Sequence, residues 1–315
     1  MKRFLIYCLI FILPVLVVSF SVFLQPLDKR FAYNFVKGDC SERGIWIHDR
    51  LYENDMPIDI AIVGSSVGWG LFDDKRLSEL LTSKAGKEVI VSNLSYCRGG
   101  FNLRALFVEE LIATKSPKKI IIELRHEPNR GGHPMYGYLA STDNLVFPAT
   151  YLYQRYLTDL KHGLIVRWET LRTMLYPYSE YKPNLAAFGV SPDHGLVDQQ
   201  RMHRLLKQRQ DNRYDRPESF QDKIHFYVYW KNMEYVKQLC DRHNIELVFF
   251  YVNEFGNPSI YPKYKSRIEA IAPIWFAPDS IFQNPEYYVD IAHFNQKGTD
   301  AITPVLFKYL EQDYE

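Results

Sequence analysis

The sequence predicts a three-layer α/β/α domain with a mainly parallel sheet, preceded by a transmembrane helix at the N-terminus. Four short runs rich in β-branched or aromatic residues have the length of strands. Segments with helical periodicity separate these runs, and strands that alternate with helices form parallel sheets covered on both faces. The predicted strands are residues 58–63, 88–91, 119–124 and 245–251, and the predicted helices are 74–83, 102–114, 226–243 and 298–311.

The first element is a run of 21 uncharged residues, 4–24, that follows Lys2 and Arg3. About 20 apolar residues span the hydrocarbon of a bilayer, so this run predicts a transmembrane anchor over residues 1–25. A cleaved signal peptide is the alternative, but its apolar core is usually about 7–15 residues and ends at a small-x-small site. We therefore expect an uncleaved anchor, with the rest of the chain on the extracytoplasmic (periplasmic) side.

Three further segments follow the anchor. Residues 26–57 mix charges, aromatics and glycine, and we interpret them as a stalk or approach segment. Residues 58–315 form the predicted domain. Within it, an aromatic-rich, helical stretch at about 134–222 interrupts the alternation and is interpreted as an insertion between two strands. Such insertions often form a lid or a wall of the substrate site.

Composition excludes some classes of function. The chain has 38 Lys+Arg against 37 Asp+Glu and so lacks the basic footprint of a nucleic-acid-binding protein. Cys8 lies in the predicted anchor, and Cys40, Cys97 and Cys240 show no paired metal-ligand spacing. These three cysteines allow one disulfide, which the sequence does not predict.

A glycine-flanked serine pair follows the first predicted strand, in the run Gly64-Ser65-Ser66-Val67-Gly68. In open parallel sheets, ligands bind beyond the carboxyl ends of the strands. A serine there, in a turn that opens a helix, has backbone N–H groups nearby that can stabilise an oxyanion. A simple Gly-Ser turn that caps the helix explains the motif equally well.

A second motif near the C-terminus places Asp290 three residues before His293. A nucleophilic serine needs a base, and that base needs an orienting carboxylate. One short loop supplies both if it lies beside Ser66; otherwise Asp290 caps a turn and His293 packs locally. The Gly-x-Ser-x-Gly elbow of α/β-hydrolases also fits, but that elbow follows several strands and its acid lies well before the histidine.

These placements resemble the SGNH/GDSL hydrolase superfamily, and the resemblance covers most of residues 58–310. It implies a flavodoxin-like sheet and a Gly-x-Ser turn after the first strand, which makes Ser66, and not Ser65, the nucleophile. The final Asp-x-x-His block of the superfamily matches Asp290 and His293.

The second block of the superfamily is an Asn-containing turn that lines the oxyanion hole. It resembles the run from Asn93 to Gly100, so that the N–H of Gly99 or Gly100, together with that of Ser66, would bind the oxyanion.

The third block departs from the pattern Gly-x-Asn-Asp of the superfamily. Here the run Arg125-His126-Glu127-Pro128-Asn129 follows the strand, so either Asn129, Arg125 or His126 replaces the missing oxyanion donor, or the site is weakened. Losing one donor costs about 10²–10³-fold in rate. The departure resembles membrane-anchored envelope branches of the superfamily that act on acylated cell-surface polymers, some beside membrane-bound acyltransferases.

The resemblance therefore implies a cofactor-independent serine esterase or O-acyltransferase that acts on an acylated envelope glycan or polymer. Two alternatives remain open. The chain is a non-catalytic carbohydrate-binding or assembly protein that keeps the fold, or His126, Glu127 and His133 bind a metal. Their spacing matches no known zinc pattern, so we expect a solvated loop and no metal.

Overall fold

The computed structural model describes residues 2–36, 40–126, 132–151, 153–175, 182–189, 199–210 and 219–314. Its centre is a sheet of five parallel strands in the order β2-β1-β3-β4-β5, which is the flavodoxin-like order. The strands are β1 (Ile60–Val63), β2 (Val91–Asn93), β3 (Lys119–Leu124), β4 (Glu246–Tyr251) and β5 (Ile274–Phe276).

Helices occupy both faces of the sheet and the connections between its strands. They are α1 (Lys2–Phe23), α2 (Lys29–Phe35), α3 (Ser41–Tyr52), α4 (Ser66–Leu71), α5 (Asp74–Ala85), α6 (Phe101–Thr114), α7 (Tyr136–Leu139), α8 (Thr142–Val146), α9 (Tyr156–Leu175), α10 (Gln199–Gln210), α11 (Phe220–Arg242), α12 (Lys265–Glu269), α13 (Asp279–Phe282) and α14 (Gln296–Leu310).

Alternate residues of the strands face two separate hydrophobic layers. Ala61, Ile120 and Phe249 pack on one side of the sheet, in a cluster that includes residues of α6 and α11. Their neighbours Ile62, Ile121 and Phe250 pack on the other side, with residues of α5 and α14. Because both faces are covered, β1 and β3 are buried along their whole length, as is typical of parallel strands. The predicted three-layer architecture with a parallel sheet is confirmed.

The stalk predicted for residues 26–57 is wrong for its described residues. This segment contains α2 and α3, which belong to the core of the domain. Tyr33 on α2 is buried, and its hydroxyl donates to Glu110 on α6 over 2.8 Å. On α3, Trp46 and Ile47 are buried in the same hydrophobic cluster as α6.

The insertion predicted at about 134–222 lies between β3 and β4, and its described residues contain α7, α8, α9 and α10. The chain ahead of the core forms α1, which lies against α9. Much of the apolar surface of α1 is exposed; the side chain of Phe11, for example, is 77% exposed. Within the described ranges, no helix combines the length and apolarity needed to cross a membrane, so the predicted transmembrane helix lacks support from the structure.

Candidate active site

Ser66 lies at the point where the sheet order reverses. β1 has β2 on one side and β3 on the other, and the crevice outside such a switch point is where ligands bind in open α/β sheets. The chain leaves β1 through Gly64, and the hydroxyl of Ser65 caps α4 by accepting from the N–H of Val67 over 3.2 Å. Ser66 is the first residue of the helix.

Ser66, His293 and Asp290 form an unbroken hydrogen-bonded chain. His293 Nε2 lies 2.8 Å from Ser66 Oγ, and His293 Nδ1 lies 2.8 Å from Asp290 Oδ2. Because a carboxylate only accepts, we assign the ring proton to Nδ1, which leaves Nε2 free to accept from the Ser66 hydroxyl. The side chains of His293 and Asp290 are 40% and 34% exposed, so a substrate can reach them.

The loop that carries Asp290 and His293 is held in place by contacts between its own residues. Tyr288 and Phe294 form an antiparallel bridge, and their buried rings lie 4.2 Å apart. The N–H of Val289 also donates to the carbonyl of His293 over 2.9 Å. This closure positions the histidine before any substrate binds.

Asp290 closes the same loop with its second carboxylate oxygen. Oδ1 accepts the backbone N–H groups of Ala292 and His293, both over 2.8 Å. Partial burial raises the pKa of Asp290, but the hydrogen bonds from the His293 side chain and the two N–H groups outweigh it and hold the pKa well below its usual range. Asp290 is therefore a carboxylate at neutral pH.

The backbone N–H groups of residues 64–68, which we call the serine turn, have different acceptors. Val67 donates to Ser65 Oγ, whereas Ser65 and Gly68 donate to Glu123 Oε2 over 2.7 and 2.9 Å. Among the described residues, no acceptor binds the N–H of Ser66. That N–H is an orphan of the first helical turn and is available to an oxyanion.

Glu123, the acceptor in this turn, was not predicted from the sequence. It lies on β3, its side chain is fully buried, and it is flanked by Arg104 at 4.0 Å and Arg125 at 3.9 Å. Burial raises its pKa, but the two guanidinium groups and the hydrogen bonds from Ser65 outweigh burial and lower the pKa below its usual value. A single carboxylate inside the apolar run of residues 119–124 was the available signal, because a buried charge needs partners.

The second block forms the loop between β2 and α6. The side-chain amide of Asn93 donates to the carbonyls of Gly68 and Phe72, which ties this block to α4. Gly99 lies in the loop, and Gly100 directly precedes α6. A Cβ at Gly100 would lie 2.6 Å from the Cβ of His133, so glycine is required there by close packing.

A disulfide links this loop to the start of α3. Cys97 is bonded to Cys40, whereas Cys240 is a buried free thiol. Next to the bridge, the Arg43 Nε group on α3 donates to the carbonyl of Ser95 over 3.0 Å. The loop that carries Gly99 and Gly100 is therefore tied to α3 by a covalent and a polar link.

The third block is engaged in other interactions where it is described. The guanidinium of Arg125 binds Glu254 Oε1 over 3.0 Å, and His126 Nδ1 hydrogen-bonds to the carbonyl of Tyr261 over 3.1 Å. Asn129 and Glu127 lie outside the described residues. No cluster of metal-ligating side chains occurs in the described part of the chain.

His133 has both ring nitrogens occupied. Nε2 lies 2.8 Å from the carbonyl of Cys97, and Nδ1 accepts the N–H of Met135 over 3.1 Å. Burial lowers its pKa to about 4, so the imidazole is neutral and braces the second block. His133 is thus a structural residue with no ring nitrogen left for a metal.

Comparison with known proteins yields structural matches only. No sequence profile of a known protein family matches the chain, and no curated protein matches it. A protein of Bacteroides fragilis NCTC 9343 assigned as an acylhydrolase shares 11% identity at a TM-score of 0.36, covering 85% of this chain and 96% of its own.

Two further solved structures are similar. A GDSL-like lipase of Bacteroides thetaiotaomicron VPI-5482 shares 10% identity at a TM-score of 0.33, covering 81% of this chain and 88% of its own. A lipase/acylhydrolase of Enterococcus faecalis shares 13% identity at a TM-score of 0.28, covering 82% and 97%. Similarity at this level carries no inference about reaction or substrate, which must come from the residues of the site.

Proposed function

We propose that the chain is a serine-dependent acyl ester hydrolase or O-acyltransferase of the SGNH type. Ser66 is the nucleophile, His293 the general base and Asp290 the residue that orients the imidazole. The observation that carries this proposal is the relay from Ser66 Oγ through both ring nitrogens to Asp290, with each distance 2.8 Å, at the switch point of the sheet.

The proposed reaction has two halves. Ser66 Oγ attacks the ester carbonyl while His293 Nε2 takes its proton, and the carbonyl oxygen becomes an oxyanion. The imidazolium then gives that proton to the departing alkoxide, which leaves an acyl-enzyme ester on Ser66. Water, deprotonated by His293, releases the acid and regenerates the serine; a sugar hydroxyl in place of water gives transfer to a new ester.

The oxyanion would be bound by backbone donors. The N–H of Ser66 is the first proposed donor, because it has no acceptor among the described residues. Gly99 or Gly100 would supply a second N–H, and Asn129 is the proposed side-chain donor. Arg125, already paired with Glu254, is the weaker candidate for that role.

The proposed substrate is an acylated glycan or polymer of the cell envelope. The Cys40–Cys97 disulfide supports an extracytoplasmic location, because disulfides persist in oxidising compartments. Attachment to a membrane through α1, beside a membrane-bound acyltransferase, is part of the same proposal. The exposed apolar side chains of α1, such as Phe11 and Leu16, support attachment.

Two serine variants test the chemistry. We expect Ser66→Ala to lower kcat on a nitrophenyl acetate by at least about 10³-fold with the fold intact. Ser65→Ala should be milder, since it keeps the Ser66–His293 contact and loses a helix cap that stabilises by about 0.5–2 kcal/mol. A serine-reactive phosphonate followed by peptide mapping should label Ser66 alone. Equal losses in both variants would place the nucleophile elsewhere, and glycan binding without turnover or labelling would favour the non-catalytic alternative.

Membrane attachment is tested by flotation of the full chain with lipid vesicles. Phe11→Lys/Leu16→Lys places two charges on the exposed apolar surface of α1 and should abolish flotation, because each charge must leave the lipid. Phe147→Lys is the matched control, since Phe147 is 73% exposed but lies on another part of the chain. Flotation of all three proteins to the same extent would argue against attachment through α1.

A further inference from the structure

The Glu123 carboxylate lies directly behind the serine turn. Oε2 accepts the N–H groups of Ser65 and Gly68, at 2.7 and 2.9 Å, and both carboxylate oxygens lie within 2.9 Å of Ser65 Oγ. These contacts hold the residue before Ser66 and the residue two positions after it. Glu123 itself is 0% exposed, so it cannot touch a substrate.

The glycines that flank the serine pair are explained by the same carboxylate. A Cβ at Gly64 or at Gly68 would lie only 2.6 Å from Glu123 Oε2. Neither glycine lies in the left-handed region of φ, so close approach and not backbone conformation is the reason for glycine at both positions. The two glycines of the motif Gly-Ser-Ser-Val-Gly therefore leave room for the buried carboxylate of Glu123.

We infer that Glu123 is a positioning residue that sets Ser66 Oγ against His293 by anchoring both sides of the serine turn. Because Glu123 binds the N–H groups of Ser65 and Gly68, the N–H of Ser66 is the donor of this turn that remains available to the oxyanion. The inference rests on the proposed function for its effect on rate, whereas its effect on the Ser66–His293 geometry is independent of that function.

A carboxylate suits this position because it only accepts hydrogen bonds. Three donors converge on it from Ser65 and Gly68, and Arg104 and Arg125 offset its charge. A glutamine can keep its amide oxygen in the place of Oε2, but an NH₂ group then replaces Oε1 beside the guanidinium groups of Arg104 and Arg125. That contact sets donor against donor and removes the charge that balances two buried guanidinium groups, so we expect the side chain and the serine turn bound to it to shift.

The rate test compares two buried carboxylates. We expect Glu123→Gln to lower kcat by about 10²-fold with little change in KM, because small misplacement of a reacting atom has effects of this size. Turnover is normalised to the sites that a serine-reactive phosphonate titrates, so loss of folded protein does not contribute. Glu110→Gln is the matched control: Glu110 is 5% exposed and bound by Lys29 and Tyr33, away from the turn. Its kcat per titrated site should equal that of the wild type.

A second readout needs no substrate. In protein with ¹⁵N-labelled histidines, the Nε2 resonance of His293, assigned with His293→Ala, reports the hydrogen bond from Ser66. Glu123→Gln should move this resonance toward its position in Ser66→Ala, whereas Glu110→Gln should leave it unchanged. If Glu123→Gln moves the resonance but the wild type has no esterase activity, the positioning role of Glu123 stands and the proposed function is rejected.

A third variant covers the case in which Glu123→Gln does not fold. Gly68→Ala keeps the charge, and alanine is the better helix former, but its Cβ would displace Oε2. It should also lower kcat per titrated site and move the His293 resonance. An unchanged resonance together with wild-type kcat per site, in either variant, would overturn the inference.

Discussion

At the residue scale, Ser66 and the Asp290–His293 pair have their positions determined in different ways. Asp290 and His293 share one loop, so their contact follows from a spacing of three residues and is visible in the sequence. The contact between His293 and Ser66 joins residues 227 positions apart, and it requires the sheet order. The partners of Glu123 could not be predicted for the same reason, because the serine turn lies beside β3 only once β1 and β3 have paired.

Asp290→Asn provides a test of the relay at single-atom level. The amide oxygen can still accept the N–H groups of Ala292 and His293, so the loop should keep its shape. The amide nitrogen, however, faces Nδ1, carries no charge to stabilise the imidazolium and favours the wrong tautomer. We expect kcat per titrated site to fall by about 10²–10⁴-fold with the melting temperature nearly unchanged.

A stopped-flow or steady-state assay with circular dichroism as the folding control checks this expectation. A variant that keeps wild-type kcat would show that another acid orients His293. A variant that loses activity and secondary structure together would instead show that the loop depends on the charge of Asp290.

At the element scale, the predicted elements were those with an uninterrupted apolar pattern. β1, β3 and β4 lie within runs that are buried almost throughout, and the sequence predicted all three. β2 was predicted too early, because the buried Val89 and Ile90 extend its apolar run while pairing begins at Val91. β5 is three residues long and only partly buried, which is too short for a periodic signal.

The helix α3 was missed because half of its buried residues are polar or charged. Arg43, His48, Asp49 and Arg50 are buried beside the apolar Trp46, Ile47 and Leu51, so hydrophobicity alone does not mark the buried face of α3. The guanidinium of Arg50, for example, donates to the carbonyls of Met56 and Pro57. Burial of such groups depends on specific partners, which a sequence pattern does not reveal.

The disulfide between α3 and the second block gives a prediction at the element scale. Its two cysteines are 57 residues apart, and cross-links that close loops of this size stabilise proteins by about 2–4 kcal/mol. We expect Cys40→Ser/Cys97→Ser to lower the free energy of unfolding by that amount, measured by urea denaturation. Activity should fall as well, because the loop that carries Gly99 and Gly100 loses its covalent tie.

Reductant provides the control for the disulfide. It should destabilise the wild type to the level of the double variant and leave the double variant unchanged. Equal stability of the wild type with and without reductant, with both thiols reactive toward a maleimide, would show that the bridge does not form.

At the scale of the whole molecule, buried carboxyl groups influence stability in opposite directions. Glu123 has a lowered pKa because of its guanidinium neighbours and hydrogen bonds, so it contributes stability above the pKa of an unfolded glutamate, which is lost as pH falls. Burial raises the pKa of Asp74 and of Asp159 to about 6 each, so both destabilise the fold when they are charged. With a formal net charge of +1, these few groups and not overall repulsion should shape the pH profile.

Asp159→Asn tests this balance on the stability of the whole chain. Asp159 is fully buried on α9, where burial raises its pKa to about 6 against the opposing charge of Arg155. Above pH 6 the native protein must hold a charged group that burial disfavours, a cost of up to about 3 kcal/mol. That cost declines as pH falls through 6 and is absent below the pKa of an unfolded aspartate, about 3.9. Asparagine has nearly the same shape and no charge, so the variant should melt at a higher temperature than the wild type at pH 8, and the two melting temperatures should converge by about pH 4.

Differential scanning calorimetry across this range is the measurement, with the exposed Glu88→Gln as a control that should show no such convergence. A melting temperature below that of the wild type at pH 8 would mean that the ion pair with Arg155 outweighs the burial of Asp159.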